Sequence, residues 1–262
     1  MPQSALGRAR DLWAGLARVP VAFPASGDVT VVVSPGSSLC PPGWTGVVAL
    51  DGAILATVPA AGLVEPVRSA LLGLGAADLA RLPAHLPALD VLGPATLAYL
   101  DTADFTRHHL PAPDIPGPTT PGHLAAAPVT AGVERLPVDH PAIRALLSSV
   151  PEEEAAESGL EEIGSAAYAV REGGDAIAAA GFRPWLDTAA HVSVLTAPRY
   201  RGRGLARLAA SAAVADALAT GLLPQWRARP EPSRRVARAL GFREYGAQIS
   251  LRLQPQASAA PR

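Results

Sequence analysis

The chain has 262 residues, 22 of them arginine and none lysine, against 23 acidic residues, for a formal net charge of −1. That balance gives no basis for a nucleic-acid partner, which would call for a clearly basic face. The length allows one large or two ordinary domains with an ample core. With 49% hydrophobic but only 5% aromatic residues, that core must rely on close packing of small side chains. The single cysteine, Cys40, excludes an internal disulfide; it reads as a small buried filler in a protein of the reducing cytoplasm.

In chain order, the first twenty residues read as a charged amphipathic helix, with Leu6, Leu12, Trp13 and Leu16 between Arg8, Arg10, Asp11 and Arg18, and no apolar signal core. The longest apolar run, 208–215, is too short to span a bilayer. Residues 29–33 read as a buried strand, and 47–50 and 53–58 as a hairpin turned at Asp51-Gly52. A short helix follows at 65–74, a helical turn at 78–82 and an interrupted strand at 91–100. Gly36, Ser37 and Ser38 lie in a loop without the Gly-Lys-Ser/Thr ending of a nucleotide P-loop, which reads as a turn. Asp101, Asp104, His108 and His109 group together, but adjacent histidines diverge on most backbones, so a solvated segment end is expected and no metal. Six prolines between 110 and 128 mark an extended boundary.

Beyond it, 133–136 reads as a strand, 141–149 as a helix entered through Pro141, and Glu152, Glu153 and Glu154 as the acidic start of another helix. A hairpin is expected from 166–171 and 176–182, turned at 172–175. Residues 223–229 read as a strand, 233–240 as a helix ended by Gly241, and 249–253 as a last strand.

The stretch 191–221 organises the chain. It opens as a strand carrying Val192, Val194 and Thr196 and continues as a helix in which Leu205, Leu208, Ala209 and Ala212 recur at helical spacing, with Gly221 at its stop. Between them lies Arg201-Gly202-Arg203-Gly204-Leu205-Ala206. The glycines let backbone approach a ligand, and the helix start presents free N–H groups with roughly +0.5 of an elementary charge, a site suited to a phosphate or pyrophosphate.

This segment resembles the acyl-CoA-binding segment of the GNAT superfamily of N-acetyltransferases, Gln/Arg-x-x-Gly-x-Gly/Ala. An overlapping match starts at Arg199. The register at Arg201 is better, because Thr196-Ala197-Pro198 then takes the place of the family's strand end and proline. The resemblance implies an α/β fold with a mixed, mostly antiparallel central sheet flanked by helices over 129–255; the proline-rich stretch reads as a linker at 111–128 after a smaller α/β N-terminal domain at 1–110, with a tail at 256–262. The N-terminal domain would be a diverged half of the same fold or an unrelated lid. Acetyl-CoA or another acyl-CoA is the implied cofactor, with its pyrophosphate on Arg201 to Ala206 and its pantetheine arm paired to the main chain of Val194, Leu195 and Thr196. Ser233 would contact the cofactor or cap its own helix.

The implied reaction is acyl transfer to a small-molecule or peptide amine, without nucleic acid or membrane. The amine must lose a proton before attacking. His191 stands where several relatives carry glutamate, and an imidazole titrating near ~6.5 suits a base; Glu161, Glu162 and Asp187 are rivals, Asp187 also as an orienting carboxylate. Tyr245 is a weak candidate acid that would otherwise serve packing. Two departures, Pro230 for the family's asparagine and Ala237 for its tyrosine, together with His191 in place of glutamate, keep open a catalytically inactive acyl-CoA-binding regulatory or sensor module.

Overall fold

The computed structural model describes residues 3–108 and 132–254. The expected linker at 111–128, His109 and the expected tail at 256–262 lie outside the described residues. The described chain is mixed α/β and divides into two compact units. One comprises residues up to Asp104, Trp185–Ala189 and the chain from Leu223; the other comprises Phe105–Pro184 and Ala190–Leu222.

The first unit begins with α1 (Ala5–Leu16), whose Ser4 side chain accepts from the Gly7 N–H at 3.2 Å, a cap worth about 1 kcal/mol. Then come β1 (Val29–Val33), β2 (Thr45–Leu50), β3 (Ala53–Val58), α2 (Val64–Leu74) and β4 (Ala88–Tyr99). Asp51 (φ 49°) and Gly52 (φ 80°) turn the β2–β3 hairpin as expected. Late in the chain, β9 (Leu223–Ala228), α6 (Glu231–Ala239) and β10 (Arg243–Leu253) join the same unit. Strand order here is β1-β3-β2-β10-β4-β9. β2 and β3 are buried throughout because both faces are covered. Val47 and Ala49 face α2 and Leu251, while Val48 and Leu50 face Leu12, Trp13 and Leu16 of α1.

The sequence places 129–255 in one domain, whereas the compact grouping takes β9, α6 and β10 with the N-terminal strands. The cause is pairing: β10 runs antiparallel to both β2 and β4, and β4 runs antiparallel to β9. β10 starts six residues before the expected 249, and β4 passes through Gly93-Pro94 without breaking. The β10–β4 register shifts between Gln248 and Ser250, opposite Gly93-Pro94, and again between Glu244 and Gly246 and between Arg252 and Leu253.

The second unit holds β5 (Val133–Leu136), α3 (Pro141–Ser148), α4 (Glu152–Ser158), β6 (Ala167–Glu172), β7 (Asp175–Trp185), β8 (Ala189–Thr196) and α5 (Leu205–Ala219). Its strand order is β8-β7-β6-β5, with β5–β6 and β6–β7 antiparallel. α5 packs on β5 and β6. Ala178, Ala179 and Ala180 of β7 and Ala209, Ala210, Ala213 and Ala217 of α5 are buried, so this core is built from small side chains, as the composition requires. Among the described residues no helix is long and apolar enough to cross a membrane, and no group of three His, Cys, Asp or Glu could hold a metal ion.

Candidate functional site

The turn between β8 and α5 is the candidate site. β8 ends at Thr196, a short 3-10 turn takes Pro198–Tyr200, and Gly202 (φ 76°) and Gly204 (φ 77°) bring the chain to the start of α5. Both glycines adopt the left-handed conformation that a side chain would strain. Gly204 is the N-cap of α5 and, among the described residues, no side chain caps that helix. Its first intrahelical bond is donated by Leu208 to Gly204. The N–H groups of Leu205, Ala206 and Arg207 are therefore unspent at the positive end of a fifteen-residue helix.

Arginines surround this start. Arg201 donates from Nε to the Thr196 carbonyl at 3.2 Å and from Nη2 to Glu154 of α4. Arg207 meets His108 Nε2 at 3.2 Å, and the His108 N–H donates to Ser211 Oγ at 2.9 Å. The segment ending at His108 thus lies along the first turns of α5, and a Cβ on Gly204 would stand 3.8 Å from His108 Nε2. Two polar atoms nearby, Thr196 Oγ1 and Arg207 Nε, are buried without a hydrogen-bond partner among the described residues. A cleft of about 460 Å³ opens beside the turn, lined by Leu146 and Ser149 of α3, Asp175 and Ile177 of β7, and Pro198 and Arg199.

On β8, Leu195 is buried while Val194 and Thr196 are half-buried on the opposite strand face. His191 is half-buried on the same face as Ser193. A Cβ on Gly159 would lie 2.9 Å from Ser193 Oγ, so the end of α4 crosses that face. Glu161 and Glu162 follow on an exposed 3-10 turn, with Glu162 bound by Arg183 at 2.5 Å. Asp187 occupies the tight turn after β7, with φ 51°.

The structure therefore brings Val194, Leu195, Thr196 and Arg201 to Ala206 together in one unit with His191. Ser233 and Tyr245 belong to the other unit. Ser233 is the third residue of α6, behind an N-cap at Pro230, and its Oγ accepts from Trp226 Nε1 at 3.0 Å. Tyr245 packs on Tyr99 with ring centroids 6.2 Å apart; burial, then the nearby Asp101, pushes its phenol pKa up, so it holds its proton firmly. Sequence reasoning missed His108, Glu154 and Tyr200 as neighbours of the turn. Only Tyr200 had a local signal, as an aromatic flanked by arginines.

A family model described as GNAT acetyltransferase matches residues 165–247. Among solved structures, the chain is similar to an acetyltransferase of the GNAT family from Novosphingobium aromaticivorans, at 26% identity over 63% of this chain and 65% of that one, TM-score 0.41. It is also similar to a GCN5-related N-acetyltransferase from Kribbella flavida, at 22% identity over 70% and 65%, TM-score 0.46. A GNAT-family acetyltransferase from Colwellia psychrerythraea follows, at 11% identity over 64% and 59%, TM-score 0.44. The match spans 59–65% of these solved chains, less than two thirds of each. No curated protein matches the chain.

Proposed function

We propose that this chain, whose residues 165–247 match a GNAT acetyltransferase family model, moves an acetyl or other short acyl group from acyl-CoA to an amine by direct attack. The observation that carries this reading is the uncapped start of α5, with unspent N–H groups framed by two left-handed glycines. A diphosphate satisfies such groups, and the unpartnered Thr196 Oγ1 at the end of β8 suits a polar arm laid along that strand. The residues present therefore fit coenzyme A.

Acyl-CoA supplies an acyl group activated as a thioester. The amides of Leu205, Ala206 and Arg207 bind the diphosphate, with Arg201 adding charge, and the backbone of Val194 to Thr196 aligns the arm. His191 accepts the proton that the attacking amine must lose. With Glu162 engaged by Arg183, Glu161 is its carboxylate rival. Tyr245, its proton held firmly, is a weak donor at most. The Ser233 hydroxyl is engaged by the indole N–H of Trp226. The acceptor is a small-molecule or peptide amine, and the free thiol of Cys40 fits a reducing cytoplasm.

Calorimetric titration with CoA and acetyl-CoA tests the site, with Ala206→Glu as the control. A carboxylate in the first helical turn is tolerated by the helix dipole yet repels a diphosphate, so binding should be saturable and lost in the variant. Equal affinity in both proteins would remove the site. Free-thiol release with an amine panel then tests transfer, and His191→Ala should lower turnover far more than CoA affinity. The sensor reading keeps one supporting observation, the departures at Pro230 and Ala237, the latter buried in α6. Tight CoA binding without turnover across the panel would favour it.

A further inference from the structure

Tyr200 stands in a turn otherwise made of proline, arginine and glycine. It is 7% exposed, and its hydroxyl donates to Glu172 at the end of β6. The guanidinium carbons of Arg199 and Arg203 lie 4.8 and 5.2 Å from its ring centroid. An aromatic face attracts a guanidinium through its quadrupole, and a guanidinium held beside the ring, with five N–H donors, keeps donors for a further ligand.

The four arginines of the turn thus fall into two classes. Arg201 is neutralised by Glu154, and Arg207 is bonded to His108. Arg199 and Arg203 rest on Tyr200, and among the described residues neither forms an ion pair. No carboxylate pairs directly with either among the described residues, and the ring favours a placement for both beside the turn. The amides at the start of α5 already suit a diphosphate, so two further fixed cations exceed what a diphosphate needs. Guanidinium forks match a phosphate monoester in shape and charge.

We infer that Tyr200 is a positioning residue that holds Arg199 and Arg203 as a two-armed receptor for a phosphate monoester carried by the same ligand as the diphosphate. The 3′-phosphate of coenzyme A has that chemistry, and the inference rests on the acyl-CoA reading above. Tyr200 acts through the arginines: anchored by Glu172, its ring limits the rotamer freedom they would otherwise lose on binding.

The test is calorimetry of the full chain with CoA and with 3′-dephospho-CoA, for the parent protein, Tyr200→Phe, Tyr200→Leu and the double variant Arg199→Gln/Arg203→Gln. The parent should prefer CoA by about tenfold or more. Tyr200→Phe, which keeps the aromatic face, should retain the preference. Tyr200→Leu and the double variant should lose it, with dephospho-CoA binding unchanged, an outcome that general damage to the fold would not give. If Tyr200→Leu does not fold, the double variant, which alters only exposed side chains, decides. Equal binding of the two ligands by the parent, or a preference that survives in the double variant, overturns the inference. Failure of the parent to bind either ligand overturns the acyl-CoA reading itself, and the inference with it.

Discussion

Replacing Glu154 with glutamine should tighten CoA binding. Glu154 holds the Arg201 guanidinium, and an anion recruiting Arg201 must first displace that carboxylate. The two side chains are 36% and 47% exposed, so the pair is a screened surface interaction of about 0.2–1 kcal/mol. That energy is recovered as affinity when the competitor is removed, giving a gain of about 1.4- to 5-fold. Calorimetry at about 0.05 M salt should show the gain, and at about 1 M, where the screening length falls to about 3 Å, it should vanish. In an Arg201→Gln background the same change should give no gain, because the cycle isolates the pair. Weaker CoA binding by Glu154→Gln at low salt, or an equal gain without Arg201, would refute the competition.

Other expectations concern the first unit. Tyr99→Phe removes the acceptor of the Trp13 indole N–H, bonded at 2.6 Å between residues with 0% exposure; urea unfolding should show a loss of about 1–3 kcal/mol, and an unchanged midpoint would show that the indole finds another partner. Gly246→Ala places a Cβ 1.9 Å from the Ala49 carbonyl oxygen, an overlap only backbone movement can relieve, so about 1–3 kcal/mol or more of stability should go; a wild-type midpoint would mean that the β10–β2 register yields. Burial raises the Cys40 thiol pKa to about 11. The folded state thus favours the neutral thiol, and its contribution to stability is complete below the unfolded pKa of about 8.5 and is lost as pH rises towards the folded value. Thiol alkylation rates should keep climbing above pH ~10 in the native chain but level off near pH ~9 in urea, and coincident profiles would contradict the burial.

Local chemistry made much of the fold legible. The valine run of β1 and the Asp51-Gly52 turn give β1 and β3 their observed limits, since both signals act within a few residues. The glycines of the Arg201 turn likewise declare their left-handed backbone in advance. Contacts between residues distant in sequence leave no such trace. Nothing near Ile249 announces that it pairs with Val47, and nothing near His108 announces Arg207. The contact of Arg203 with Tyr200 depends on the left-handed turn at Gly202, which brings the chain back beside the ring.

The place of β10 between β2 and β4 has a consequence for biogenesis. As a nascent chain leaves the ribosome, β2 and β4 emerge some two hundred and one hundred and fifty residues, respectively, before the strand that lies between them. Until it arrives, both present unpaired backbone edges flanked by valine and leucine, the kind of surface that draws chaperones or other copies. Translation stopped short of Arg243 would leave the gap open, making the last strand the step that commits the N-terminal sheet to its native state.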